Sequence, residues 1–272
     1  MYVKETSMLT SYHVHSKHSD GIATIRDFAQ AALDLGLDEL GISDHYVLMA
    51  NGEEISWSMP LASLPAYFEE LREVSAEFRD KLTIGFGLEA DFDPGSADDL
   101  LKVLEAYPFD YVIGSVHFID GFSVDEKPEN WDALSEPEQN DMMRAYWDRI
   151  VQLANSQLFD FVGHLDLYKK FGHLPTDDLS KDITAALDAI AQSRMAIEIN
   201  TAGFYMPIRE AYPSPVILSE CHSRNIPIVI NSDAHDPANL TRSFDQAKIL
   251  AREAGYTQVA TFARRRMAMA NI

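Results

Sequence analysis

A single cysteine, Cys221, stands in a chain of 272 residues. No disulfide can form within the chain, and no thiolate cluster can hold a structural zinc. Cys221 falls in an expected helix, far from any ligand motif, and reads as a packing residue. Basic residues are also scarce: 22 Lys and Arg against 43 Asp and Glu leave a formal charge of −21. That balance excludes the basic face needed to displace counterions from a long nucleic acid. The surplus acid is read as a solvated surface that aids solubility. No apolar run is long enough to cross a bilayer, and the first residues lack the basic, apolar and small-residue segments of a secretory leader. The expected setting is the cytoplasm, with no membrane partner. Internal repeats and low-complexity linkers are missing as well. With 46% hydrophobic and 24% charged residues, the chain has the composition of a globular protein and is expected to form one domain over residues 1–272.

What is abundant is histidine placed at strand ends. Thr10-Ser11-Tyr12-His13-Val14-His15 closes on His-x-His, and the two-residue period of a strand puts both imidazoles on one face, where they can grip one cation. Asp20-Gly21 follows in a turn-forming loop that can fold the carboxylate back over the strand end. Ile42-Ser43-Asp44-His45, Gly87-Leu88-Glu89, Ser115-Val116-His117, Gly163-His164 and Ser232-Asp233-Ala234-His235 repeat the pattern, each an apolar run closed by His, Asp or Glu. A lone buried histidine is more often a hydrogen-bonded core residue than a ligand. Nine ionisable side chains at six strand ends are another matter, because burying them together without cations would be costly.

Strands expected near 10–15, 38–43, 82–89, 110–117, 160–164, 195–200 and 226–232 alternate with helices near 24–36, 64–79, 97–106, 136–155, 178–193, 214–224 and 238–254. Strict alternation predicts an α/β fold with a parallel sheet. Ligands at the ends of nearly every strand favour closure into a barrel, whose C-terminal rim lets them meet. The segments 49–60 and 120–135 read as long loops that shape a pocket, and Tyr256–Phe262 as a further strand.

These motifs resemble the polymerase and histidinol phosphatase (PHP) superfamily over nearly the whole chain. Within it, Gly114-Ser115-Val116-His117-Phe118, Glu198-Ile199-Asn200-Thr201-Ala202-Gly203 and Tyr212-Pro213-Ser214-Pro215 are similar to the monofunctional histidinol-phosphate phosphatases. The resemblance implies a distorted, TIM-like (β/α)7 barrel with three divalent cations on its rim. One cation would take His13, His15, Glu89 and Asp233; a second Glu89, His117 and His164; a third Asp20, His45 and His235. Mixed nitrogen and oxygen shells suit Zn²⁺, Mn²⁺ or Fe²⁺. Asp44 and Asp166 adjoin ligands and are expected to orient an imidazole.

Paired cations imply attack by a metal-bridging hydroxide on a phosphate ester. The resemblance assigns the phosphate to Arg209, in the loop after Asn200, and to Lys170, where family members commonly carry Arg. A lysine there supplies a point charge instead of a fork. Metal-bound water, Asp20 or His18 would protonate the leaving group, with His18 otherwise lining the pocket. His173 is expected on a loop and His222 on a helix surface, neither as a ligand. The expected reaction is hydrolysis of L-histidinol phosphate in histidine biosynthesis, by a monomer or homodimer, with Asp91, Asp93 or Asp125 meeting the substrate's cationic groups. A PHP-type phosphoesterase acting on nucleotides, oligonucleotides or another small ester is the alternative, and lacks the inserted domain and basic aromatic groove it would use. Amidohydrolases share His-x-His but typically place a carboxylated lysine where this chain has Glu89 and His117. A scaffold without activity would be expected to have lost ligands. Arg264-Arg265-Arg266 is open between a cap, an interface and a solvated turn.

Overall fold

Apolar strand, polar turn and amphipathic helix alternate along the chain, and the computed structural model, which describes residues 7–272, closes them into a barrel. Residues 1–6 of the expected domain lie outside the described residues. The strands that form the wall are β1 (Thr10–Ser11), β2 (Glu39–Ile42) continued by β3 (His45–Tyr46), β4 (Thr83–Phe86) continued by β5 (Glu89–Asp91), and β6 (Ile113–Ser115). A small antiparallel pair, β7 (Phe118–Ile119) and β8 (Phe122–Ser123), precedes β9 (Phe161–Val162), β10 (Ala196–Asn200) and β11 (Ile228–Asn231). Every neighbouring pair in the wall is parallel, in the order β1, β2, β4 and then β3, β5, β6, β9, β10, β11. The ring closes where Val14 bridges Ala234: His15 N–H donates to the Ala234 carbonyl at 2.9 Å, and Ala234 N–H to the His13 carbonyl at 3.1 Å. Counting β2 with β3 and β4 with β5, this is the seven-stranded parallel barrel expected from the pattern.

The helices α1 (Ile25–Leu35), α2 (Leu64–Phe78), α3 (Ala97–Ala106), α4 (Pro128–Asp132), α5 (Glu136–Ser156), α6 (Ser180–Ser193), α7 (Pro215–Ser223) and α8 (Phe244–Glu253) surround it. Their local causes are readable. In α1 the buried residues Ile25, Phe28, Ala29 and Ala32 recur at helical spacing. A reciprocal capping box between Thr24 and Asp27 starts that helix, and Gly36 ends it at φ 73°. Ser135 and Glu138 open α5 in the same way. The last helix begins later than the expected 238, because Pro237–Asn239 form a 3-10 turn and Ser243 takes φ 59°, out of the helical path.

Two apolar layers hold the barrel. The larger lies mainly between wall and helices. The smaller gathers Tyr12, Tyr111, Phe161, Ala196 and Val229 at the N-terminal ends of the strands, where Ala260 and Phe262 cover them. The last two residues belong to β12 (Gln258–Ala263), which pairs antiparallel with β13 (Arg266–Asn271). The expected strand at 256–262 therefore exists, but it floors the barrel instead of joining the wall. Its two-residue turn, Arg264-Arg265, has positive φ at both positions (52° and 60°), as a twisted hairpin needs. Backbone N–H groups of both arginines bond to Asp110, and the Arg265 guanidinium pairs with Asp160 and donates to the Leu158 carbonyl. The run of arginines is a floor clamp.

Candidate metal centre

The opposite, C-terminal end of the wall carries the ionisable residues. All nine candidate ligands fall into four overlapping groups whose ligand atoms lie within 4.8 Å of one another: His15, Asp20, His45 and His235; His13, His15 and Asp233; His13, Glu89 and His164; His45, Glu89 and His117. Glu89, buried at the start of β5, is the hub. One oxygen is 3.1 Å from His13 Nε2, 3.4 Å from His15 Nε2 and 2.7 Å from His45 Nδ1. Its other oxygen is 3.0 Å from His164 Nε2 and 3.7 Å from His117 Nε2, and accepts from Ser115 Oγ at 2.6 Å. Asp233 Oδ1 reaches His15 at 3.1 Å, while Asp20 Oδ1 lies 3.2 Å from His235 and 3.8 Å from His45. His45 thus stands between the Glu89 and Asp20 groups.

Backbone geometry serves this convergence. Gly21 sits so close to the His15 carbonyl that an added Cβ would lie 1.9 Å from its oxygen, so only glycine allows the turn that returns Asp20. At Gly163 an added Cβ would lie 2.7 Å from Ser115 Oγ, the hydroxyl that orients Glu89. His164 and Asp233 hold positive φ, 25° and 54°, conformations that non-glycine residues keep only where surroundings impose them.

Electrostatics point to a cation. Buried atoms without a hydrogen-bond partner include His13 Nε2, both ring nitrogens of His15, His45 Nδ1, Glu89 Oε2 and Asp233 Oδ1. Leaving so many polar atoms unsatisfied in one place is costly unless an ion completes them. Burial resists ionisation of Glu89, yet His13 and His45 beside it hold its pKa well below the usual carboxylate range. Burial likewise opposes charge on Asp233, and His13 and His15 again overcome it. His15 moves the other way, down to about 3, because it is buried and faces His45 and His235. Glu89 and Asp233 as ionised carboxylates and His15 as a neutral imidazole are thus held in the forms that bind divalent metals.

The carboxylates that steady these ligands differ from those expected. Glu198 on β10 lies 2.8 Å from His13 Nδ1, accepts the His164 backbone N–H at 2.9 Å, and takes Nδ2 donors from Asn200 and Asn231 at 2.9 Å each. Asp91 accepts the His117 backbone N–H at 2.8 Å and approaches its Nδ1 at 3.5 Å. Asp44 instead binds the backbone and hydroxyls of Ser16 and Ser19, so it shapes the loop bearing Asp20. Asp166 is turned toward Lys169 at 2.9 Å and the Ser214 N–H at 2.9 Å, away from any imidazole. Glu198 carried a readable signal: an acid at i and an amide at i+2 inside the apolar strand Ala196-Ile197-Glu198-Ile199-Asn200 face the same side.

A cavity of about 430 Å³ opens above the cluster, lined in part by Asp20, Trp57, Asp125, Lys170, Tyr212 and Arg242. Lys170 is there as expected, donating to the Asp125 carbonyl at 2.8 Å and pairing with its carboxylate at 3.0 Å. Asp91 is buried against His117, and Asp93 caps the loop at Ala50 and Gly95, leaving Asp125 as the one of the three that faces the cavity. Arg209 is exposed at φ 55° and does not line the cavity. His18 does not line it either: its Nε2 is 2.8 Å from Glu70 and its ring meets Tyr67. Asp20 remains at the rim, but His235 and His45 outweigh its burial and bring its pKa to about 2, leaving it ionised near neutrality with no proton to give. His173 pairs with Asp132 at 3.0 Å, and His222 is exposed beside Tyr256, both away from the cluster. Trp57, from the long 49–60 loop, adds an aromatic wall edge-on to His45 and His117.

A seven-stranded barrel with carboxylates and imidazoles gathered at the C-terminal rim defines a metal-dependent hydrolase class, and residues 11–202 match the PHP domain family. The chain belongs to that family. It is 40% identical to the probable histidinol-phosphatase of Deinococcus radiodurans, over 95% of this chain and 98% of that one. The histidinol-phosphatase of Lactococcus lactis is 30% identical over 92% of this chain and 93% of its own length. Among solved structures, that of histidinol phosphate phosphatase from Lactococcus lactis, complexed with zinc, L-histidinol and phosphate, superposes with a TM-score of 0.83 at 25% identity, covering 97% of this chain and 100% of the other.

Proposed function

We propose that this protein is a histidinol-phosphatase, hydrolysing L-histidinol phosphate to L-histidinol and phosphate. The observation that carries the reading is Glu89, buried and ionised among His13, His15, His45 and His164, two of which, His45 and His164, line an open cavity. Similarity to two histidinol-phosphatases over more than nine-tenths of the chain supports it.

The unsatisfied donor atoms fit three divalent cations, Zn²⁺, Mn²⁺ or Fe²⁺. In the partition that the family resemblance implies, His13, His15, Glu89 and Asp233 would hold one, Glu89, His117 and His164 a second, and Asp20, His45 and His235 a third, in keeping with the approach of both His117 and His164 to one Glu89 oxygen. When bound, such ions activate water and neutralise phosphate charge. The protein's own groups do the rest. Glu198 fixes the tautomer of His13, and Asp91 steadies His117 by accepting its backbone N–H, so that Nε2 of each ring points inward. Ser115 aligns Glu89. Lys170 and Asp125, locked together on the cavity wall, present a cation toward the phosphate and a carboxylate toward the amine or imidazole of the substrate. Trp57 and Tyr212 supply apolar surface around the reacting group.

A phosphate-release assay on Mn²⁺- or Zn²⁺-loaded protein tests this, with L-histidinol phosphate, nucleotides and an aryl phosphate as competing substrates. A kcat/KM for histidinol phosphate at least about a hundredfold above the others, lost on chelation, is the expected result, since phosphate and both cationic groups of one substrate are met together. Equal, slow release from all three would overturn the assignment.

A further inference from the structure

Among the described residues, Lys170 and Arg242 are the lysine and arginine that line the cavity, and Arg242 lacks a carboxylate partner. Lys170 is committed to Asp125, and the neighbouring Lys169 is buried between Asp166 and Glu210. Arg242 is different. It reaches the cavity from the turn between Pro237–Asn239 and α8, next to Asn239 and the Asp233–His235 strand end. Among the described residues no acid lies within ion-pair distance of it, none of its guanidinium N–H groups donates a hydrogen bond, and its Nε is buried without a partner.

Its placement is nonetheless tightly imposed. The guanidinium carbon lies 4.2 Å from the centre of the Tyr205 ring, a stacking distance for cation and π face. Tyr205 is tied back by its hydroxyl, 2.8 Å from Ser243 Oγ. The Arg242 carbonyl accepts from Thr201 Oγ1 at 2.6 Å, which joins the turn to the end of β10. A guanidinium seated over a ring, without a side-chain partner and lining a cavity otherwise rich in carboxylates, is built for an oxyanion that arrives with the ligand.

We propose that Arg242, braced on Tyr205, is the guanidinium that binds the non-bridging oxygens of the substrate phosphate. The inference rests on the phosphatase reading for its substrate, but not for the anion site itself. Arg242 supplies the fork that Lys170 cannot, and does so from a different strand end than Arg209.

The test uses Arg242→Gln, Arg242→Lys and the unaltered protein, all metal-loaded, with inorganic phosphate and L-histidinol as separate inhibitors. Loss of a charge-assisted contact should lower kcat/KM for histidinol phosphate by roughly ten- to a hundredfold and weaken inhibition by phosphate in parallel, leaving inhibition by L-histidinol within about twofold. Arg242→Lys should restore part of the loss, because charge returns without the fork. In the unaltered protein, phenylglyoxal should modify Arg242, and phosphate should protect it, as mapped by peptide mass. Unchanged phosphate inhibition in Arg242→Gln, or absence of protection, overturns the proposal. Should Arg242→Gln fail to fold, protection in the unaltered protein decides alone. Phosphate protection without turnover of histidinol phosphate would uphold the anion site while removing the substrate reading; normal turnover without protection would do the reverse.

Discussion

At the scale of single residues, the site depends on partners as much as on ligands. Glu198 accepts from two asparagine side chains and one backbone N–H while facing His13 Nδ1. Removing it frees the His13 ring and strands three donors in a buried pocket. Glu198→Gln should therefore weaken metal retention by about 10- to 100-fold, the usual effect of losing an outer partner of a ligand. Metal content after dialysis against graded chelator measures this, and an unchanged content would show that His13 needs no such partner. Glu198 and Asn200 were legible in the sequence as polar residues on one face of an apolar strand. Arg242 was not: its position depends on a 3-10 turn and a left-handed Ser243, which no spacing rule foretells. Arg209 was assigned from a motif-bearing loop, but a left-handed residue at its own position leaves it exposed.

At the scale of elements, the strands of the wall were legible because all but β10 close on or just before a titratable residue, and the helices because their apolar residues recur at helical spacing. The continuation of β2 by β3 and of β4 by β5 was not, since Ser43-Asp44 reads as the polar end of a strand and Gly87-Leu88 lies within an apolar run. The strand β13 was missed because Arg266-Met267-Ala268-Met269-Ala270 buries no residue fully and so lacks a strong alternating pattern. Its register is set by the turn instead. The Arg265 side chain closes that turn onto Asp160 and the Leu158 carbonyl at the start of β9. Burial raises the pKa of Asp160, and Arg265 works against that rise. Arg265→Ala leaves the carboxylate without its cation, which should cost about 1–3 kcal/mol. Urea unfolding followed by circular dichroism would register the loss as a lower midpoint, with kcat/KM unchanged because the turn is at the far end from the cluster. An unaltered midpoint would mean that the backbone bonds to Asp110 suffice to hold the hairpin.

At the scale of the whole molecule, the formal charge of −21 and the cluster of imidazoles titrate together. Without metal, burial disfavours a charged His117, yet Asp91 and Glu89 overcome it and push its pKa up to about 10. Burial also opposes charge on His235, where Asp20 and Asp233 prevail and raise it to about 9. Both rings are then imidazolium at neutral pH, and a ring must lose its proton to bind a cation. Metal uptake at pH 7 should therefore release protons, and affinity should fall as pH drops and rise toward pH 9. Calorimetric titration with Zn²⁺ or Mn²⁺ in two buffers of unequal ionisation enthalpy counts the protons. Binding heats independent of buffer would contradict these raised values. Far from that chemistry, Met8 N–H donates to the Asn271 carbonyl at 3.1 Å, and Ile272 N–H to the Thr257 carbonyl at 3.0 Å. Met8 and Ile272 thus both lie against the hairpin that floors the barrel. A solid support that grips this hairpin face would hold the protein by its base, so the enzyme can be immobilised with its mouth facing the bulk solution.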